Sequence, residues 1–173
     1  MGDKMNLNEE QKRVVYSNER FLFLLASAGS GKTRVIVERI KHLINQGVDP
    51  KRILAITFTR KAAFEMKDRT KNGEVNIHTF HQFCYIKLVE INLCPINIAE
   101  EEALPFLKSE LLEISKYKNS IHQIDKPKHY EIYQRYMEEH ILKDFDDLLL
   151  DFYYILKSKK QHVLFDYIFI DEF

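Results

Sequence analysis

A run of eight residues, Ala26, Ser27, Ala28, Gly29, Ser30, Gly31, Lys32 and Thr33, constrains this chain more than any other stretch of its sequence. Five consecutive apolar residues precede it: Phe21, Leu22, Phe23, Leu24 and Leu25. That is the length and texture of a strand covered on both faces. After the run, residues 31–46 read as a helix, ended by Gly47 and by Asp49 with Pro50. A glycine-rich turn between a strand and a helix is a phosphate-binding loop in both chemistry and shape. Small residues let backbone N–H groups curl round phosphates, and the helix N-terminus adds a positive dipole end. Lys32 then reaches the β and γ phosphates, and the Thr33 hydroxyl ligates magnesium. Ala26 stands where the general pattern has glycine, and a plain small-residue turn before a helix is the competing reading.

The rest of the chain continues the alternation. Residues 53–58 form a second predicted strand and 61–71 a second helix, stopped at Asn72 and Gly73. Residues 75–78 make a third strand and 80–90 a third helix. From 93 to 156 the texture is helical and rich in Glu, Lys and Tyr, broken at Pro95, Pro105 and Pro127. Strand character returns at 163–170, just before Asp171, Glu172 and Phe173. Near the start, Asn8 with Gln11 three residues later reads as a capped helix. This order predicts an α/β fold: a mostly parallel sheet flanked by helices, with a helical insertion. Three segments follow: 1–91 as the first part of the nucleotide-binding domain, 92–157 as the insertion, and 158–173 as the return to the sheet. In such sheets ligands bind beyond the carboxyl ends of the strands.

Charge narrows the function classes. The chain has 26 basic and 26 acidic residues, a formal net charge of zero, so nucleic-acid binding would have to come from a local patch. Two cysteines, Cys84 and Cys94, are too few for a four-thiolate metal site and fit a reducing compartment. The apolar run at 21–28 is too short to span a membrane. The expectation is a soluble, cytoplasmic protein.

Several residues at predicted strand ends carry chemistry. Asp171 and Glu172 follow an apolar strand. A carboxylate there holds magnesium, and its neighbour orients or deprotonates an attacking water. A solvated pair of acids is the alternative. Thr57, Phe58, Thr59, Arg60 and Lys61 end the second strand and open a helix, offering hydroxyls, cations and an aromatic ring to a phosphodiester chain. Lys67, Arg69 and Lys71 extend the basic character, and Glu65 and Asp68 partly offset it. A capped amphipathic helix with solvated charges explains the same residues. Thr79, Phe80 and His81 end the third strand, where a capped helix start is the plainer reading.

Taken in order, these residues resemble UvrD/Rep-like superfamily 1 DNA helicases. Leu7 to Gln11 resembles the adenine-reading glutamine motif, and the loop from Ala28 to Arg34 is similar to motif I. Ala55 to Thr59, with Lys61, Ala62, Ala63 and Met66, resembles motif Ia, with Arg60 where asparagine is usual. Thr79, Phe80 and His81 resemble the next strand-end motif. Asp144, Phe145, Asp146, Asp147, Leu148 and Leu149 look like the acidic segment closing the helical insertion, and Asp171 with Glu172 looks like motif II.

The resemblance implies a RecA-like P-loop NTPase domain using ATP and Mg2+. Gln11 would contact adenine, Ala26 to Arg34 would surround the nucleotide, and Lys32 would hold phosphates. Thr33 and Asp171 would hold the metal, and Glu172 would activate water. Thr57, Phe58, Thr59, Arg60, Lys61, Thr79, Phe80 and His81 would line a track for single-stranded DNA. Gln11 would still serve as the helix cap. The family pattern continues past Phe173 into a second RecA-like domain with an arginine finger. The expectation is therefore the front part of a helicase, binding nucleotide but not unwinding by itself. An unrelated P-loop ATPase or small-molecule kinase, and a nucleotide-binding module without catalysis, stay open.

Overall fold

Five buried residues in a row, Ile53, Leu54, Ala55, Ile56 and Thr57, form the central strand of a sheet, β1 (Ile53–Thr57). Burial of every residue on both faces is what a continuous apolar run with parallel neighbours requires. The computed structural model describes residues 7–27, 29–92, 95–120, 124–158 and 165–171. Ala28, Cys94 and Glu172, singled out from the sequence, lie outside the described residues.

β1 pairs in parallel with β2 (Asn76–Thr79) on one side and β3 (Tyr167–Ile170) on the other, in the order β2-β1-β3. The register aligns Thr57 with Thr79 and Ile56 with Ile170, so β1 and β2 finish level and β3 one residue earlier. The backbone N–H of Asp171 donates to Ile56 O at 2.8 Å and carries that alignment one residue further. At the other end, Arg52 and Asp166 form an ion pair at 2.6 Å.

The sequence predicts four strands, and the described residues form three. Residues 21–27 are not in the sheet, and Phe21, Phe23 and Leu25 are each more than four-fifths exposed. Apolar composition supplies strand propensity, but a strand exists only where a neighbour takes its backbone hydrogen bonds. Among the described residues, no strand pairs with the outer edge of β3.

Three helices accompany the sheet among the described residues. α1 (Glu9–Val15) has only seven residues, too short to persist on propensity alone. Asn8 and Gln11 cap it reciprocally: Gln11 N–H donates to Asn8 Oδ1 at 2.8 Å, and Asn8 N–H donates to Gln11 Oε1 at 3.0 Å. Arg39 holds its other end. This buried guanidinium on α2 (Lys32–Asn45) donates to Val14 O at 2.7 Å and Val15 O at 3.0 Å. α3 (Arg60–Thr70) starts at Thr59, whose hydroxyl accepts the Ala62 N–H at 3.1 Å. Val37, Ile40 and Leu43 of α2 and Ala63 and Met66 of α3 form one core with Ile53, Ala55 and Ile77 of the sheet.

The chain divides into two compact units, residues 1–80 with 163–173, and residues 81–162. α4 (Phe80–Asn92) thus falls, after its first residue, in the helical unit, where the sequence reading keeps it with the sheet. The helical unit also contains α5 (Lys108–Lys118), α6 (Tyr130–Glu139) and α7 (Phe145–Lys157). Its core is Leu111, Ile114, Tyr133 and Met137, with Leu104, Phe106 and Leu142 packed against it. Burial pushes the Cys84 thiol up to about 11, so it stays protonated and unreactive near neutral pH. No described helix is long and apolar enough to cross a membrane.

Candidate nucleotide site and strand-end surface

The small-residue loop is built on two glycines with left-handed backbone. Gly29 has φ 77° and Gly31 φ 88°, a region that side chains with a Cβ rarely enter. At Gly31 a Cβ would also lie 3.3 Å from Gln11 Nε2, so the glutamine side chain would have to give way by a few tenths of an ångström. The Ser30 N–H donates to Ser27 O at 3.2 Å and tightens the turn, and α2 begins at Lys32. The Lys32 ammonium folds back over the loop, donating to Ala26 O at 2.8 Å and Ser27 O at 3.0 Å.

Two residues far apart in sequence meet at this turn. Thr33 Oγ1 donates to Asp171 Oδ2 at 2.7 Å, and Asp171 is buried. A buried carboxylate needs compensation, and among the described residues the Thr33 hydroxyl is the side chain that donates to it. A hydroxyl and a carboxylate oxygen side by side at the head of a phosphate loop are the hard oxygen donors that Mg2+ takes. The residues present therefore fit a magnesium nucleotide. A cavity of about 940 Å3 reaches this point, lined by Leu22 to Ala26, Lys32 and Tyr167 to Asp171.

Gln11 has the capping role and also reaches the loop. Its side-chain oxygen takes the capping bond, and its amide Nε2 donates to Ser30 O at 3.2 Å. The side chain therefore joins α1 to the loop directly.

The strand-end residues sort into inner and outer sets. Thr57 is fully buried, and its hydroxyl has no partner among the described residues; Thr79 is also buried. Neither side chain is at the surface, because the last position of each strand still lies within the sheet. The chain emerges at the next residue of β1, where Phe58 is 76% exposed. Thr59, Arg60 and Lys61 are exposed beside it. Phe80 closes the first unit, and His81, the first residue of the second, packs edge-on against Phe145 at 5.4 Å.

Sequence reasoning missed two charged residues. Arg39 sits on the apolar stripe of α2 between Val35 and Leu43, and that spacing is the signal that would have found it. Burial lowers its pKa without threatening its charge. In the helical unit, the Lys118 side chain is 3% exposed and donates to Asp144 Oδ2 at 2.7 Å and to Asp147 Oδ1 at 2.6 Å. Tyr133 OH also donates to Asp144. The acidic segment of the sequence is thus partly inward, with Asp144 and Asp147 forming the capping box of α7.

Residues 7–94 match the family of the UvrD/REP helicase N-terminal domain. The chain is 31% identical to a probable DNA helicase II homolog of Mycoplasma capricolum subsp. capricolum, over 96% of this chain and 30% of that protein. It is 35% identical to the ATP-dependent DNA helicase Rep of Buchnera aphidicola, over 84% of this chain and 28% of that protein. It is 30% identical to the ATP-dependent DNA helicase PcrA of Staphylococcus epidermidis, over 97% of this chain and 30% of that protein. The chain spans about 30% of the length of these relatives.

Proposed function

The chain belongs to the UvrD/REP helicase N-terminal domain family, and on that premise we propose that it is the ATP-binding part of an ATP-dependent DNA helicase. The observation that carries this reading is the 2.7 Å bond between Thr33 and Asp171, 138 residues apart in sequence. It joins the phosphate loop to the end of β3, where a metal-holding carboxylate is needed.

Each residue has a distinct task in this reading. Gln11 presents its amide beside the loop for the base. The N–H groups of the loop and the α2 dipole take the phosphate oxygens. Lys32 exchanges the carbonyls of Ala26 and Ser27 for the β and γ phosphates. Thr33 and Asp171 hold Mg2+, which when bound neutralises charge on the phosphates. Glu172, the family's water-activating position, takes a proton from the attacking water. Phe58, Thr59, Arg60 and Lys61 form the face that meets single-stranded DNA, with Thr57 and Thr79 supporting it from beneath.

Titration calorimetry with Mg-ATP tests the nucleotide site. Lys32→Ala removes charge-assisted contacts and should cost about 2–3 kcal/mol of binding. Equal affinity for the variant and the original chain would reject the assignment.

A further inference from the structure

The strand-end surface does not stop at Lys61. Helix α3 packs inward through Ala63, Met66 and Thr70. At 3.6 residues per turn, Arg60, Phe64 and Lys67 fall on one outer face, and Lys71, the C-terminal cap, continues their line. From Arg60 to Lys71 the stripe is about 16 Å long. Phe64 in its middle is 73% exposed, nearly as much as Phe58 at 76%. One exposed phenylalanine carries no message on its own. Here two occur six residues apart, the second flanked by cations one turn before and one turn after it.

The charges on this face are free to act on a partner. Arg60, Lys67 and Lys71 are exposed and have no ion pair with any described residue. Of the two acids on the helix, Glu65 pairs with Arg69, and Asp68 lies at the flank of the stripe. In a chain of zero net charge, this is a local concentration of positive charge around an aromatic ring. The arrangement suits a ligand that is polyanionic along its length and offers flat rings. A single-stranded nucleic acid has both properties, because phosphates meet cations while bases stack on aromatic side chains.

We propose that Phe64, with Arg60, Lys67 and Lys71, is a second stacking and phosphate-binding station for single-stranded nucleic acid, prolonging along α3 the surface that begins at Phe58. The proposal rests on the reading of the strand ends as the DNA-facing surface and adds Phe64, Lys67 and Lys71 to it.

Fluorescence anisotropy on the full chain tests both, with a labelled oligothymidine and its abasic counterpart. Phe64→Ala should weaken oligothymidine binding roughly 5- to 150-fold, the range of one lost stack, and leave abasic binding unchanged. Phe64→Tyr should retain affinity and Phe64→Leu should not. Because Phe64 packs into no core, its variants should keep the circular dichroism of the original chain. Lys67→Gln with Lys71→Gln should flatten the dependence of log affinity on log salt by about 1.4, two single-strand phosphate contacts. Loss with Phe58→Ala but not with Phe64→Ala would overturn the second station and leave the strand-end reading standing. No loss with either would overturn both. Full rescue by Phe64→Leu, or an unchanged salt slope in the double variant, would also overturn the proposal, since stacking or phosphate contact would then be absent.

Discussion

Replacing Lys118 with methionine tests whether the helical unit is held by a buried charge cluster or only by its apolar core. Methionine keeps an unbranched side chain one atom shorter than lysine and removes its charge. Lys118 makes two short charge-assisted bonds, to Asp144 at 2.7 Å and Asp147 at 2.6 Å, and its side chain is 3% exposed while those of its partners are about one-fifth exposed. Burial opposes the lysine's charge, but the bonds to both carboxylates outweigh it and raise its pKa. Burial likewise opposes ionisation of Asp144, but its bonds from Lys118 and Tyr133 hold its pKa below the usual carboxylate range. Asp147 is raised, by burial and then by the charge of Asp144 once Lys118 is counted.

Removing one partner of a buried pair costs about 3–5 kcal/mol, because the charge left behind is uncompensated. Partial exposure of the carboxylates reduces this, so Lys118→Met should lose about 3 kcal/mol at pH 7. The pH dependence has a definite sign. In the original chain the Asp144 contribution is present above the unfolded carboxylate pKa of about 4 and lost as pH falls through its lower folded value. In the variant neither carboxylate has a cation, both folded pKa values rise, and the folded state takes up a proton more readily than the unfolded one. Its deficit should therefore be largest at neutral pH and shrink as pH falls towards about 5. Urea denaturation followed by helical circular dichroism at pH 7 and pH 5 measures both quantities. Adding Asp144→Asn and Asp147→Asn should restore most of the loss, since a neutral polar cluster carries no unpaired charge. A deficit under about 1 kcal/mol at pH 7, or one equal at both pH values, would refute the reasoning.

Other outcomes follow from the first unit. Thr33→Val removes the hydroxyl beside Asp171, and calorimetry with and without Mg2+ should show a loss of nucleotide affinity confined to the magnesium titration. Gln11→Ala removes the reciprocal cap and the bond to Ser30, and should cost about 1 kcal/mol, read as faster amide hydrogen exchange in α1. Gly31→Ala forces a Cβ into left-handed backbone and against Gln11, and should destabilise the loop by about 1–2 kcal/mol in thermal melts, with weaker Mg-ATP binding.

Much of this was legible before any coordinates. The loop, α2, β1 and α3 are locally specified: glycines at positive φ, a cap at Thr59 and unbroken apolar runs leave few alternatives. What was not legible depends on partners distant in sequence. Phe21 to Leu25 have the composition of a strand, yet whether they pair depends on a neighbouring backbone that composition does not announce. Lys118, between Tyr117 and Asn119 at the end of a helix, reads as a solvated terminal lysine. Only the return of α7 brings Asp144 and Asp147 to it. The sequence reading ends two strands at Phe58 and His78, each one residue from the observed ends at Thr57 and Thr79, because whether the final residue lies inside or outside the sheet depends on the register between strands.

That register also limits how the two faces of this unit can influence each other. Asp171 hangs from Ile56 by one 2.8 Å bond, and Phe58 leaves the same strand two residues later. Neighbouring strands sit about 4.8 Å apart, set by backbone geometry that neither stretches nor compresses. Within the sheet, therefore, the separation between Ile56 and Ile170, the last paired residues of β1 and β3, is a fixed gauge length. Nucleotide occupancy cannot be signalled by changing it. A signal must travel instead through the turns beyond the strand ends, or as displacement of the whole sheet as one body, so amide exchange that responds to nucleotide should concentrate in residues 26–33 and 58–60 and leave β1 unchanged.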